Sequence, residues 1–581
     1  MMLKTGSICA AIVSMVGAVI AGGPAIAEIP PLPSAVHHPN GSQLGAIAAE
    51  DEIAARVGSE ILAQGGNAVD ASVATAFALA VTFPRAGNIG GGGFMMIHMS
   101  ETGKTTALDY REKAPARASR EMFLDADGNV DRDLISASHK AAGVPGTVAG
   151  LLYAQEKYGT LSRKQVMAPA IKLAKNGFAL SYFAAAMLQT DKERLQKNIH
   201  TKQEFYKSDG SAYQPGEVLK RRDLARTLKA ISKAGRDGFY KGPVAAAIAN
   251  DMAENGGLVS LEDLAAYEPV ERSPIWGTYR GYDIAGMPPP SSGGIQIVQM
   301  LNMIESRGAF TDTSDSANYL HWLAEIMRRS FADRATHYGD SDFVDVPIKE
   351  MISKPYALHR LKNYDEAGAS SSSQIAAGNP LAFESPDTTH ISVIDRDGNM
   401  VSNTFTLNYS YGSAIVVPGT GILLNNEMDD FAAAIGVPNY YGLIGNEKNA
   451  IDPHKRPLSS MSPTLIFKDG EPFLATGAPG GSRIISAVLQ VILNVIDRGM
   501  NIGDATDHPR IHHQWLPDTI MTEPGISLDT QTILQERGHT LTPLDWYARP
   551  QSVHYINDWY YAYTDGRIPG GGACTPDGGC N

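Results

Sequence analysis

The chain has few cysteines, a deficit of positive charge and no apolar run long enough for a membrane span. Of its three cysteines, Cys9 lies in the apolar N-terminal stretch, which leaves Cys574 and Cys580 near the other end. Two thiols six residues apart offer too few ligands for a metal site, and in an oxidising compartment they suit a small local disulfide. Lysine and arginine number 49 against 62 acidic residues, and the net charge of −13 argues against a nucleic-acid surface, which requires a basic face.

Residues 1–27 have the three parts of a secretory signal. Lys4 gives the positive start, residues 8–20 the apolar run, and Ala25-Ile26-Ala27 the small-residue cleavage pattern. Glycine and serine interrupt the run, which is shorter than the roughly 20 residues that span a bilayer. We therefore expect cleavage after Ala27 and export, either to a periplasm or, as the alternative, to the cell exterior.

The order of the predicted elements indicates a layered α/β fold. Helical spacing covers residues 46–63 and 68–83, and residues 318–338 form another helix. In the last third of the chain the pattern changes to strands, with residues 390–394 and 400–407 on either side of a turn. Helices, then strands, then helices predict a sandwich whose sheet comes from both halves of the chain.

Thr388, in the stretch Pro386-Asp387-Thr388-Thr389-His390, stands at the start of a predicted strand. Its hydroxyl can attack the preceding carbonyl and cut the chain, and the freed α-amine can then take the hydroxyl proton. The pKa of such an amine, about 7.7–8.0, suits a base at neutral pH. The low-complexity residues 367–380 indicate a mobile approach to this position. On these residues alone, an ordinary strand-entry turn is the alternative.

Two other motifs resemble common binding sites without fitting them. The run Gly90-Gly91-Gly92-Gly93 lacks the Gly-Lys-Ser/Thr ending of a phosphate loop and precedes a strand, so we expect it to serve close backbone packing. His512 and His513 are adjacent, so their side chains diverge and do not form a metal pair.

Three further stretches and one arginine carry groups that suit charged or polar ligand groups. The glycine amides in residues 477–483 suit an oxyanion, with a tight strand–helix turn as the alternative. The hydroxyls in residues 457–464 suit a carboxylate, or else turn chemistry. Carboxylates and amides in residues 425–431 suit an ammonium group, with calcium ligation or a solvated turn as alternatives. Arg111 suits a carboxylate, with a plain salt bridge as the alternative.

Taken together and in this order, these motifs resemble the γ-glutamyltranspeptidase (glutathione hydrolase) family of N-terminal-nucleophile hydrolases. The resemblance extends over nearly the whole chain after residue 27, and only the tail, residues 565–580, departs from the usual family ending. The motifs that carry it are residues 84–95, 108–115, Asp387-Thr388-Thr389-His390, 423–431, 455–463, 480–483 and His512-His513-Gln514-Trp515.

The resemblance implies an α/β (α+β) fold, a four-layer αββα sandwich built jointly by two subunits that autoproteolysis generates. It also implies that Thr388 is the nucleophile, that Thr406 orients its hydroxyl, and that the amides of Gly480 and Gly481 form the oxyanion hole. The other positions would bind the γ-glutamyl head: Arg111, Ser459 and Ser460 its α-carboxylate, Asn408, Glu427 and Asp430 its α-amine, with Tyr441 as the aromatic residue of a lid loop.

The implied activity is transfer of a γ-glutamyl group from glutathione and other γ-glutamyl compounds. The acyl-enzyme would pass the group to water or to an amino-acid or dipeptide acceptor, with no metal and no organic cofactor.

A related cephalosporin or glutaryl acylase on the same scaffold is the alternative enzyme. A glutaryl group has no amine for Asn408, Glu427 and Asp430, and unpaired carboxylates would be costly, which favours the γ-glutamyl substrate. A second alternative is a non-catalytic exported binding or scaffold protein, which would remain one uncut chain.

The mature protein should contain two chains, a large subunit of residues 28–387 and a small subunit of residues 388–581. Cleavage between Asp387 and Thr388 predicts that Thr388 is the N-terminus of the smaller chain. Intact mass spectrometry with N-terminal sequencing checks both cuts, and a small chain that begins at another residue would contradict the assignment.

Overall fold

Two antiparallel β-sheets packed face to face form the middle of the molecule. The structure is a computed structural model that describes residues 36–308, 315–375, 388–437, 439, 443, 446–545 and 547–581. The predicted signal, residues 1–27, lies outside these ranges. None of the helices in the described ranges is long and apolar enough to cross a membrane.

The strands in the described residues are β1 Asn40–Ser42, β2 Gly45–Ala49, β3 Gly92–Met99, β4 Lys104–Asp109, β5 Phe178–Ala179, β6 Val218–Leu219, β7 Val270–Arg272, β8 Ile275–Tyr279, β9 Tyr282–Gly286, β10 Thr389–Asp395, β11 Met400–Thr406, β12 Thr464–Lys468, β13 Glu471–Gly477, β14 Ile511–His512, β15 Ile520–Thr522, β16 Leu541–Pro543, β17 Gln551–Ile556, β18 Trp559–Thr564, β19 Gly572–Thr575 and β20 Gly579–Cys580.

The α-helices in the same residues are α1 Glu52–Ala63, α2 Ala68–Thr82, α3 Arg132–Ala137, α4 Thr147–Tyr158, α5 Arg163–Asn176, α6 Tyr182–Thr190, α7 Lys192–Leu195, α8 Ile199–Phe205, α9 Arg222–Ala234, α10 Asp237–Tyr240, α11 Gly242–Glu254, α12 Leu261–Ala266, α13 Gly293–Glu305, α14 Ala317–His337, α15 Ile348–Met351, α16 Lys354–Arg360, α17 Arg483–Ile496, α18 Ile502–Asp507 and α19 Leu528–Glu536. Short 3₁₀ helices cover His139–Ala141, Glu427–Asp430 and Glu447–Asn449.

The two large sheets and the helices on their outer faces make four layers. One sheet has the order β20-β19-β2-β10-β11-β3-β4-β7, and the other β1-β18-β17-β13-β12-β9-β8. Helices α1 and α2 cover the first sheet, and α13, α17 and α18 cover the second. The expected αββα sandwich is therefore present, and each large sheet takes strands from both sides of residue 388, as predicted.

Helix α2, which packs on the first sheet, is buried over its whole length and capped at its start. All its residues are buried, so its apolar and small side chains pack on every side. Its first turn carries a capping box. The Asn67 side chain accepts from the amide of Asp70, and the Asp70 side chain accepts from the amide of Asn67. The helix predicted at residues 68–83 is thus confirmed.

The helix predicted over residues 46–63 is wrong in its first part. Gly45–Ala49 is the strand β2, which lies between β10 and β19 with all its residues buried. The helix begins only at Glu52, where the Asp51 side chain accepts from the amide of Ala54. The small apolar residues of this segment are compatible with a helix or a strand. They form a strand because they pair with two strands that are distant in sequence.

The segment before the predicted cut makes buried contacts at Ser372 and Ile375, the last part of it that the structure describes. Ser372 and Ile375 are buried, and the indole Nε1 of Trp515 donates to both of their carbonyls, at 2.9 and 3.1 Å. Asp518 accepts from the amide of Ser372 at 2.8 Å. Residues 376–387, which complete the approach to Thr388, lie outside the described residues.

The C-terminal tail, which departs from the usual family ending, completes the larger sheet. Strand β19 pairs with β2, and Cys574 and Cys580 form the disulfide that joins β19 to β20. The buried Asp565 accepts from Arg510 and Arg567, so the turn before the tail is also held by charge-assisted hydrogen bonds.

The glycine run before β3 serves close packing, as predicted. A Cβ on Gly91 would lie 1.9 Å from the carbonyl oxygen of Thr406, and one on Gly90 would lie 2.1 Å from that of Leu423. Both neighbours are backbone atoms that cannot turn aside. The run therefore lets the ends of β3 and β11 approach each other next to the loop that follows β11.

We expect Gly91→Ala to destabilise the protein by ~3 kcal/mol or more, because its Cβ overlaps a backbone carbonyl. Gly368→Ala is the matched control, since its Cβ would meet only ordinary contacts at 3.5 Å or more. Thermal unfolding of both variants measures the effect. Equal melting temperatures for the two would contradict the packing argument.

Candidate active site

Thr388 is presented by the hairpin of β10 and β11. Thr389, the first residue of β10, pairs with Phe405, so Thr388 comes to the end of β11 where Thr406 lies. The turn of this hairpin is fixed by Asp395, whose carboxylate accepts from the amides of Asp397 and Asn399, both at 3.0 Å. Since β10 is paired on both edges, the position of Thr388 is set by the interior of the sheet.

Most of the predicted site residues meet at one cavity. The side chain of Thr388 is almost buried, with 6% of its surface exposed. The predicted residues that line the cavity are Arg111, Thr388, Thr406, Asn408, Glu427, Asp430, Ser459, Ser460 and Gly481. Gly480 directly precedes Gly481 in the chain, whereas Asp387 and Tyr441 lie outside the described residues. The individual roles of these residues stay predictions.

The end of β11 is shaped by side chains that bond to its backbone. Thr406 Oγ1 accepts from the amide of Asn408 at 2.9 Å, and the carbonyl of Thr406 accepts from Asn88 Nδ2 at 2.9 Å. Asn408 has φ = +76°, a left-handed conformation that asparagine tolerates better than most residues. Its Nδ2 donates to the carbonyl of Asn426 at 3.1 Å, so its side-chain oxygen is the group it can offer to an ammonium.

Arg111 is the centre of a buried charge cluster. Its guanidinium donates to the carboxylates of Glu427 and Asp430 and to the carbonyls of Pro457 and Leu458. Although burial favours the neutral form, the charges of Glu427, Asp430 and Glu112 raise the pKa of Arg111. The salt bridge that was the alternative for Arg111 is present, and it joins the groups predicted to bind the two ends of the substrate head.

Glu112 is a buried acid beside this cluster that the sequence analysis missed. Its Oε2 lies 3.7 Å from Arg111 Nη1, and among the described residues neither of its oxygens finds a hydrogen-bond donor. Its carboxyl faces that of Glu427 within hydrogen-bonding reach, and Glu427 Oε2 also lacks a donor in the described residues. A proton retained between the two carboxyls gives one oxygen of each a hydrogen-bond partner.

Burial is the main cause of the altered acidity of this pair. It raises the pKa of Glu112 to about 7, against the opposing effect of Arg111. Burial also raises the pKa of Glu427 well above its usual range, and repulsion by Glu112 and Asp430 adds to the effect. Arg111 is the single cation among the carboxyls of Glu112, Glu427 and Asp430. A proton retained by the Glu112–Glu427 pair therefore reduces the uncompensated negative charge.

Arg334 is a second cation at the cavity that sequence reasoning did not find. It lies on α14, is buried, and donates from Nη2 to Ser460 Oγ and from Nε to Ser292 Oγ, both at 3.1 Å. A guanidinium can only donate, so Ser460 Oγ is the acceptor and its own proton is left to donate elsewhere. This orientation suits Ser460 to a carboxylate ligand. The only signal in the sequence was an arginine in a helix, which is usually exposed.

The turn between β13 and α17 has a backbone that requires glycine. Gly480 and Gly481 have φ of +135° and +58°, and a Cβ on Gly480 would lie 2.9 Å from the Cα of Ala548. The amides of Arg483 and Ile484 donate back to the carbonyls of Gly480 and Gly481, both at 3.2 Å. Within the described residues the amides of these two glycines have no acceptor, which suits them to a ligand oxyanion.

His390, two residues after Thr388, is not placed to act as its base. The imidazole lies between the two sheets, where it contacts Thr404 Oγ1 at 2.7 Å and Ser392 Oγ at 3.0 Å. Burial lowers its pKa to about 3, so it is neutral. Among the described residues no histidine lines the cavity. The base nearest to the Thr388 hydroxyl after a cut would therefore be its own α-amine.

The chain matches known proteins along most of its length. The sequence model of the γ-glutamyltranspeptidase family matches residues 54–575. The glutathione hydrolase proenzyme of Escherichia coli (strain K12) is 48% identical over 518 residues, which cover 89% of this chain and 89% of that protein.

Solved structures show the same likeness. Helicobacter pylori γ-glutamyltranspeptidase is 46% identical with a TM-score of 0.55, over 56% of this chain and 93% of that one. Cephalosporin acylase from Bacillus halodurans has a TM-score of 0.81 at 27% identity, over 94% of this chain and 98% of that one.

We expect Glu112→Gln to gain stability relative to the wild type as the pH rises from 4.5 to 7.5. Between the ordinary glutamate pKa of 4.5 and about 7, the unfolded chain loses the proton that folded Glu112 keeps, so wild-type stability falls with rising pH. Glutamine does not ionise, and its amide can donate to Glu427 in place of the proton. The relative gain should correspond to ~1–3 kcal/mol, allowing for the coupling with Glu427.

Melting temperatures of both proteins at the two pH values test this expectation. Glu101→Gln, at an exposed carboxylate, is the control and should give the same difference from wild type at both. If the Glu112→Gln difference is also independent of pH, Glu112 does not hold a proton in the folded protein.

Proposed function

The chain belongs to the γ-glutamyltranspeptidase family and is a self-processing enzyme that acts on γ-glutamyl compounds, and we propose that Thr388 is its N-terminal nucleophile. The observation that carries this proposal is the single cavity described above. Thr388 lies in it with an ionic cluster around Arg111 and the turn that holds the glycine amides. A γ-glutamyl group has a zwitterionic head and a carbonyl to match these two features.

We propose that processing breaks the bond between Asp387 and Thr388. It would leave a large subunit of residues 28–387 and a small subunit of residues 388–581, after export has removed residues 1–27. The destination we favour is a periplasm, with the cell exterior as the alternative. The apolar run and cleavage pattern at the N-terminus support export.

The substrate head would bind by extending the charge cluster. Arg111 and the hydroxyls of Ser459 and Ser460 would take the α-carboxylate, and Asn408, Glu427 and Asp430 would take the α-ammonium. Alternating positive and negative groups keep each buried charge next to an opposite one, which lowers the cost of desolvation. The head so held would place the γ-carbonyl at Thr388, and such orientation alone can be worth several kcal/mol.

Acylation would begin when the Thr388 α-amine takes the proton from the hydroxyl. The Oγ then bonds to the carbonyl carbon of the γ-amide, and the carbonyl oxygen becomes an oxyanion held by the amides of Gly480 and Gly481. Collapse of this intermediate breaks the γ-amide bond, and the proton passes to the leaving amine. For glutathione the products are cysteinylglycine and a γ-glutamyl ester of Thr388.

Deacylation would repeat these steps with a new nucleophile. Water yields glutamate, whereas the amine of an amino acid or dipeptide yields a new γ-glutamyl compound. Thr406, at the end of β11 beside Thr388, would hold the hydroxyl in line for both halves of the reaction.

An acylase acting on glutaryl groups is the second candidate, favoured by the likeness to the cephalosporin acylase structure. One feature of this chain speaks for the γ-glutamyl substrate. Glu427 and Asp430 offer two carboxylates at one end of the cavity, and a glutaryl group has no ammonium to pair with them.

Turnover of γ-glutamyl-p-nitroanilide against glutaryl-p-nitroanilide tests the choice of substrate. We expect kcat/KM to favour the γ-glutamyl compound by on the order of 10²-fold or more, because without an ammonium the negative charge around the single guanidinium of Arg111 is left partly uncompensated. Asp430→Asn should narrow this preference, whereas Glu101→Gln, at an exposed position, should not. A preference for the glutaryl compound would instead establish the acylase.

Thr388→Ala tests the nucleophile itself. The variant should accumulate as one uncut chain without activity, because both the cut and the transfer need the hydroxyl. Denaturing gels and the same assay report the two outcomes separately. Continued cleavage at this bond in the variant would remove Thr388 from its assigned role.

A further inference from the structure

Ser482 stands at the start of α17 without acting as its cap. A serine at this position usually has extended backbone angles and accepts from an amide in the first turn. Here Ser482 has φ = −58° and ψ = −28°, which are helical values, and its side chain makes no capping hydrogen bond. Its hydroxyl instead donates to Gln514 Oε1 at 2.7 Å.

The orientation of the Gln514 amide is settled by its surroundings. Its Nε2 donates to the carbonyl of Leu516 at 3.3 Å, and since a carbonyl can only accept, Oε1 must be the atom on the other side. That oxygen lies 3.0 Å from His512 Nε2, which therefore carries a proton and donates. His512 Nδ1 lies 2.8 Å from Ser486 Oγ, whose hydroxyl also donates to the carbonyl of Arg483 at 3.0 Å.

These four side chains form a buried line of hydrogen bonds between α17 and the end of β14. The line reaches the cavity at Ser482. Ser482, Ser486 and His512 have no exposed surface, and Gln514 has 3%. Burial lowers the pKa of His512 to about 3, so the imidazole stays neutral and keeps one donor and one acceptor nitrogen. A buried polar group that loses its partner is costly, so each member holds the next in place.

The line ends at the residue that follows the two glycines of the candidate oxyanion hole. Ser482 itself lines the cavity of Thr388. If its hydroxyl turned back to cap α17, the backbone of Ser482 would have to become extended. That change would rotate the peptide units just before it, which carry the amides of Gly481 and Gly480.

We propose that Gln514 is a positioning residue for the oxyanion hole. By accepting from Ser482 it keeps that residue helical, and so keeps the amides of Gly480 and Gly481 directed at the γ-carbonyl of the substrate. This inference rests on the proposed transfer at Thr388. It gives a role to the motif His512-His513-Gln514-Trp515, which the mechanism above does not use.

The test uses Gln514→Met, which keeps the size of the side chain and removes the acceptor. Because the oxyanion exists only in the transition state, we expect kcat for γ-glutamyl-p-nitroanilide to fall by roughly tenfold or more while KM changes by less than about twofold. Ser482→Ala should cost less than about threefold, since alanine is a poor cap and leaves no hydroxyl to turn back.

The double variant distinguishes positioning from general damage. In Gln514→Met with Ser482→Ala the competing cap is absent, so kcat should recover toward the value of Ser482→Ala alone. A boronate analogue of the γ-glutamyl group, which forms a tetrahedral adduct with the nucleophile, should lose affinity in parallel with kcat. If Gln514→Met alone fails to mature, recovery of the cut in the double variant supports the proposal.

Asn494→Leu is the matched control. Asn494 is a buried amide on the same helix whose Nδ2 donates to the carbonyl of Ala505, away from the cavity. This variant should lose stability without the loss in kcat. An unchanged kcat in Gln514→Met, or a double variant as impaired as the single one, overturns the inference. An inactive wild type would instead overturn the proposed function.

Discussion

The buried pairing of Arg111 with Glu427 and Asp430 is the interaction on which the arrangement of the site depends. A guanidinium without exposed surface is tolerable only when carboxylates and carbonyls surround it, and here they come from distant parts of the chain. Arg111 follows β4, whereas its partners belong to the 3₁₀ turn Glu427–Asp430 and the loop before β12. The cluster thus ties the end of one sheet to the loops that enclose Thr388.

The backbone around the cavity provides a second constraint, which depends on glycine. Glycines at the start of β3 let that strand approach β11 closely, where Gly92 pairs with Thr406. In the turn before α17, Gly480 and Gly481 supply backbone amides at positive φ angles that residues with a side chain rarely adopt. In the proposed complex, charged side chains therefore bind the head group of the substrate, whereas main-chain amides bind the oxygen of the reacting carbonyl.

Local sequence predicted those parts of the site that depend on short-range chemistry. Thr388 at the start of a strand, the glycine turn before α17 and the buried helix α2 all carry their signal within a few residues. The strand at Gly45–Ala49 was missed because its identity comes from pairing with β10 and β19, far away in the chain. Glu112 and Arg334 were missed for the same reason, since nothing beside them in sequence reveals that Glu112 is buried next to Arg111 or that Arg334 lines the cavity.

The order of the strands makes folding of the uncut chain different from assembly of two separate pieces. In the larger sheet, β2, from before residue 388, lies between β19 and β10, both from after it, and the smaller sheet also alternates in origin. If the chain is cut before Thr388, as proposed, neither piece can leave without breaking both sheets and exposing unpaired strand edges. The precursor folds as one molecule, whereas two separated pieces would have to meet again in a concentration-dependent encounter. The uncut chain thus carries an entropic advantage for assembly that the working enzyme no longer possesses.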